Sequence, residues 1–120
     1  MPAPSKVRHG DVVLVPFPFA DLSGRKVRPA VILSADPQAP ELILAFITSV
    51  LTNRSPRGAE VELLRTNPEF PITGLKADSL IRLDKLVTLS SSVISRRLGK
   101  VGPATQTAIA AMLRRAFDLR

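Results

Sequence analysis

The sequence predicts a mainly β domain, a small and strongly bent antiparallel sheet with one C-terminal helix. Three observations predict it. Five or six short segments are either apolar throughout or alternate in polarity, as strands do. Eleven prolines punctuate the chain. Only one stretch, after Gly102-Pro103, repeats its apolar residues at helical spacing. At 120 residues, 45% hydrophobic and 22% charged, the chain has the composition of one folded domain with a core of its own. A single convincing helix is too few for a doubly wound fold, so an SH3-like small barrel or a relative is expected.

Residues 11–19 alternate, with Val13, Val15, Phe17 and Phe19 on one side, as in a half-buried strand. Pro16 and Pro18 cannot donate to a ladder, so the second half is expected at an edge or leaving the sheet. A polar loop follows at 20–27. Residues 29–34 and 42–50 are dense apolar runs that read as central strands, joined by a turn around Asp36-Pro37. A second polar loop, 52–58, leads into the alternating stretch 59–64, and residues 65–78 fit neither period. Residues 79–89 sort into two faces, Ile81, Leu83, Val87 and Leu89 against Arg82, Asp84, Leu86 and Thr88. A short turn or helical piece over 90–96 and a last strand at 97–101 precede the helix. There Pro103 takes the first helical position, and Ala104, Ala108, Ile109, Met112, Leu113, Ala116 and Phe117 form a stripe that packs on the domain itself. Arg114 and Arg115 fall where the helix dipole favours cations.

The residue inventory excludes much chemistry. With no Cys there is no disulfide framework, thiolate zinc site or cysteine nucleophile, and a single His argues against a His-rich metal site. No Gly-rich phosphate loop, HExxH or nucleophile elbow is present. Residues 1–10 are followed by no apolar signal region, and the longest apolar run, 42–47, is far below the ~20 residues a membrane helix needs. The expectation is a cytoplasmic chain with no membrane partner. The net charge of +7 points to an anionic partner, with RNA, DNA, an acidic protein and a membrane surface as candidates. By segment the charge is +3 over residues 1–30, −1 over 31–94 and +5 over 95–120. The two basic ends form one patch only if the fold joins them.

Few polar groups stand where chemistry could use them. Arg82 and Asp84, two apart on a strand, project from one face and form either a surface ion pair or part of a site. Arg28 precedes Pro29 and is held extended by it, a good phosphate fork if other groups converge on it. Thr48 and Ser49 end the most apolar strand, as backbone caps or as ligands. His9 reads as surface.

The order and spacing of several segments are more specific than any one of them. Gly10-Asp11-Val12-Val13, Arg28-Pro29-Ala30-Val31-Ile32-Leu33-Ser34, Ile47-Thr48-Ser49, the run from Gly74 through Asp78-Ser79 to Arg82-Leu83-Asp84, and Leu98-Gly99-Lys100-Val101-Gly102 together resemble the PemK/MazF family of toxin endoribonucleases. The resemblance covers nearly the whole chain. It implies residues 1–120 as one toxin domain of PemK/CcdB-like fold, a homodimer that cuts single-stranded RNA without metal or other cofactor. The products would be a 2′,3′-cyclic phosphate and a 5′-hydroxyl. In such chemistry the RNA's own 2′-OH is the nucleophile, and the protein supplies base, acid and charge stabilisation. By resemblance Arg28 stabilises the phosphorane, Thr48 bonds the scissile phosphate, and Arg82 and Asp84 form an acid and base pair. Ser23, Arg25 and Lys26 of the first loop, with Ser49 and Lys85, are the expected RNA contacts. The chain departs from the family at Lys85, Val87 and Thr88, where Gln and Arg-Thr are common, and in a first loop without Glu. The implied partners are RNA and an acidic antitoxin, which competes for the RNA surface and links the toxin to DNA only indirectly. Two alternatives share the fold: a noncatalytic poison of DNA gyrase, and a nucleic-acid-binding module.

Overall fold

The computed structural model describes residues 7–16, 26–34, 36, 38, 40–49 and 56–119. Within them the chain forms six strands and one α-helix: β1 (Asp11–Pro16), β2 (Val27–Ser34), β3 (Glu41–Ser49), β4 (Glu60–Leu63), β5 (Ser79–Ser90), β6 (Arg96–Lys100) and α1 (Pro103–Ala116). Single 3-10 turns at Pro71–Thr73 and Ser91–Val93 fill the connections. All strands join one antiparallel sheet in the order β4-β5-β3-β2-β1-β6. The mainly β fold with one closing helix is therefore the one the sequence predicts. Phe17, Phe19, most of the first loop and residues 50–55 lie outside the described residues.

Pro16 sits where its missing donor does least harm. It pairs with Val27 of β2, whereas pairing of β1 with β6 has already ended at Leu14 and Arg96. The strand is thus central for its first half and an edge by Pro16, as that proline requires, while Pro18 lies outside the described residues.

Two apolar clusters lie on opposite sides of the curled sheet. One contains Val12, Val31, Ala45, Ile47 and Ile81 and receives Ile109 of α1; the other contains Val13, Val15, Ala30, Ile32, Leu44 and Phe46. Burying an aliphatic side chain of this size stabilises by roughly 1.5–3 kcal/mol. β1 is consequently buried on both faces, which corrects the half-buried strand expected from its alternation.

β5 supplies a second correction. Ala45 pairs with Leu86 but the next residue, Phe46, pairs with Arg82, so residues 83–85 form an outsized bulge. The insertion reverses the parity of the strand. Leu86 packs with the cluster that holds Ile81 and Leu83, while Val87 and Leu89 pack against the other. The single apolar face expected over 79–89 does not exist.

The start of α1 is capped from a distance. Gly102 has no side chain to cap with, and Glu69 does it instead: its carboxylate accepts from Ala104 N (2.9 Å), Thr105 N (2.9 Å) and Thr105 Oγ1 (2.8 Å). A Cβ on Gly102 would run into that carboxylate. Gly74 ends the first 3-10 turn at φ 75°, and a Cβ there would strike the backbone carbonyl of Leu98. This contact presses the loop after Gly74 onto β6.

Candidate functional site

Strand register assembles the site. Ala30 on β2 faces Phe46 on β3, Phe46 faces Arg82 on β5, and Arg82 faces Glu60 on β4. Cross-strand partners share a face, and so do residues two apart on a strand. Arg28, two before Ala30, and Thr48, two after Phe46, therefore project from the same face at the same end of the sheet. They border a cleft of about 410 Å3 together with Ser49, Arg82 and Lys85, floored in part by Phe46. Five residues named from the sequence thus converge on one hollow, three of them cationic.

Asp84 does not line this cleft. It lies beyond Arg82, in a neighbouring hollow with Arg57 and Glu60, and grips the guanidinium bidentately: Arg82 Nε donates to Oδ1 at 3.0 Å and Nη2 to Oδ2 at 2.7 Å. Of the first-loop residues, Ser23 and Arg25 fall outside the described residues, and Lys26 is exposed just before β2, away from the lining of the cleft.

Glu60 is the functional candidate that sequence reasoning missed. Its side chain is 5% exposed, its Oε2 lies 3.0 Å from Arg82 Nε, and its Oε1 accepts from the Arg57 backbone N–H at 2.8 Å. Arg82 (22% exposed) thus stands between a buried carboxylate and the outer one of Asp84 (46% exposed). With both carboxylates ionised the trio carries a net −1. The hydrogen bond to Asp84 holds the Arg82 pKa above its ordinary value, against the opposing effect of burial, and the same bond holds the Asp84 carboxyl below its own. Raising an Arg makes it a poorer proton donor. Arg82 is suited to stabilising negative charge, not to giving up a proton.

Among the described residues no group of three His, Asp or Glu side chains is placed to hold a metal ion. The chemistry on offer is that of cations and hydroxyls at a rigid strand end, with a carboxylate behind them.

The fold is thus a small domain whose curled six-stranded sheet gathers three cationic side chains and two hydroxyls at one end. The chain belongs to the PemK-like, MazF-like toxins of type II toxin–antitoxin systems, which it matches over residues 8–117. Solved structures agree on the fold. A Mycobacterium tuberculosis toxin, MazF-mt6, superposes with a TM-score of 0.69 at 21% identity, over 92% of this chain and 98% of that one. An endoribonuclease of a mycobacterial species, in complex with its cognate antitoxin, gives 0.71 at 21% identity over 96% and 98%. A mycobacterial endoribonuclease gives 0.66 at 21% identity over 92% and 90%. No curated protein matches the chain.

Proposed function

We propose that this toxin is an endoribonuclease that cuts single-stranded RNA by attack of the RNA's own 2′-OH, without a metal ion. The observation that carries the reading is the convergence of Arg28, Thr48, Ser49, Arg82 and Lys85 on one cleft. A scissile phosphate placed there meets Arg28 and Arg82 as charge stabilisers and the two hydroxyls as hydrogen-bond donors. The 2′-oxygen bonds to phosphorus, its proton passes to a base, the bond from phosphorus to the 5′-oxygen breaks, and that oxygen takes up a proton. A 2′,3′-cyclic phosphate and a 5′-hydroxyl result.

Asp84, the more exposed of the two carboxylates paired with Arg82, serves as base when that pair opens to the substrate. Its depressed pKa keeps it ionised at neutral pH but makes it a weak base, so catalysis leans on charge stabilisation. The partners that fit a toxin of this family, with a net charge of +7, are a second copy of the chain and an acidic antitoxin segment that folds over the RNA surface. The mycobacterial endoribonuclease solved with its cognate antitoxin supports the second.

The test is induced expression with mapping of RNA 5′ ends, and cleavage by purified protein in EDTA. Recurrent cuts at one short sequence with 5′-hydroxyl ends are expected. Folded protein that leaves varied RNAs whole, with growth arrest and broken DNA, would overturn the reading in favour of a gyrase poison.

A further inference from the structure

A second hollow, of about 360 Å3, adjoins the cleft and shares Pro29 and Ser49 with it. Lys76 and Arg96 line it, above a partly apolar floor that includes Leu75 and Leu98. Two features of the fold bring these cations together. Across the sheet Leu14 has Pro29 on one side and Arg96 on the other, so Arg96 stands in the row that ends at the cleft's rim. The close approach of Gly74 to the Leu98 carbonyl lays the loop carrying Lys76 against β6.

Among the described residues the charge of this hollow is uncompensated. Arg65 pairs with Asp78, Arg97 with Asp11, and Arg82 with Glu60 and Asp84. Lys76 and Arg96 have no ion pair or side-chain hydrogen bond among the described residues. Two unpaired cations facing one concave space repel each other until an anion enters, and a partly walled space strengthens that attraction.

We propose that this hollow is a second phosphate subsite, taking a backbone phosphate that flanks the scissile one. The inference rests on the endoribonuclease reading. An RNA whose scissile phosphate lies at Arg28 and Thr48 crosses Ser49 and Pro29 as it leaves the cleft. It brings one charge per nucleotide to the place where Lys76 and Arg96 wait. The half-buried leucines offer the ribose or base an apolar surface. An acidic polypeptide covering the same surface carries no phosphate, so the methylphosphonate arm of the test below separates it from RNA.

The test uses the full chain and an RNA carrying the mapped cut site, with a 2′-deoxy substitution there to remove the nucleophile. The doubly substituted Lys76→Ala, Arg96→Ala protein should bind it at least ten-fold more weakly. The slope of log affinity against log salt should fall by about 0.7, the value for one lost phosphate contact on a single strand. Replacing one flanking phosphate by an uncharged methylphosphonate should weaken the wild type and leave the double variant unaffected. An Arg114→Ala, Arg115→Ala protein, with the same charge change elsewhere, should still respond to the methylphosphonate.

Unchanged affinity and slope in a variant that still cuts RNA would overturn the subsite alone. So would a loss confined to binding of an acidic polypeptide. A wild type that neither binds nor cuts RNA would overturn both this subsite and the endoribonuclease reading.

Discussion

Arg28 and Arg82 look equivalent in the sequence, yet their surroundings assign them different work. Arg82 compensates a buried carboxylate, so Arg82→Ala leaves Glu60 without its cross-strand guanidinium. A destabilisation of about 3 kcal/mol is expected from such a loss. Arg28→Ala, at an exposed position, should change stability by less than about 1 kcal/mol. Urea unfolding of both variants checks this, and equal stability losses would refute the distinction. Asp84 yields a pH prediction. The proposed base acts deprotonated and in the free protein Arg82 holds its pKa below 3.8, so the acid limb of kcat/KM should lie below that pH. In Arg82→Gln the limb should move upward; a limb that stays put would remove Asp84 from the base role. Arg28, Thr48, Ser49, Arg82 and Lys85 were legible in the sequence because their neighbours along the chain carry recognisable patterns. Glu60 was not, because a charged residue in an alternating strand looks solvent-facing until its partner across the ladder is known.

Among the elements, β5 shows why alternation alone misleads. Its apolar residues are all present at the expected spacing, but the bulge at 83–85 changes which face they serve. A bulge is set by the pairing of β3 with β5, which no local pattern records. The start of the helix was easier to read, from Pro103 at its first position, but its apolar stripe is only partly buried: Ile109 is buried and Met112 and Leu113 partly so, whereas Ala104, Ala108, Ala116 and Phe117 are exposed. Its cap was hidden, because Glu69 is remote in sequence from Ala104 and Thr105. The hydrogen bond from Ala104 N, then those from Thr105, hold the Glu69 carboxyl below its ordinary value of 4.5. A folded-state pKa lower than the unfolded one stabilises above the unfolded value and ceases to do so as pH falls through the folded one. Glu69→Gln should therefore lower Tm at pH 7, and its gap from wild type should close at pH values below 4.5. A gap independent of pH would show that charge on the cap is irrelevant.

For the molecule as a whole, the sheet order answers the question left by the charge split. The first third of the chain supplies Arg28 on β2 and the last third Arg96 on β6, and β1 lies between them with Leu14 touching both rows. Of the two basic ends, Arg28 and Arg96 come to the same end of the sheet. Arg114 and Arg115 sit instead in the last turn of α1, exposed and remote from the cleft lining. Replacing both by Ala should weaken RNA binding only a few-fold and leave kcat at saturating RNA unchanged, as steady-state kinetics would show. Among the described residues no helix is long and apolar enough to cross a membrane. The central claim, that the cleft bordered by Arg28 and Thr48 is where RNA is cut, is tested most directly by single-turnover cleavage in EDTA with analysis of the product ends. Wild-type protein should yield 2′,3′-cyclic phosphate and 5′-hydroxyl termini. Arg28→Ala, with its fold intact, should be slower by a factor on the order of 100 to 1,000. Cleavage by Arg28→Ala at the wild-type rate, or 5′-phosphate ends from either protein, would contradict the account.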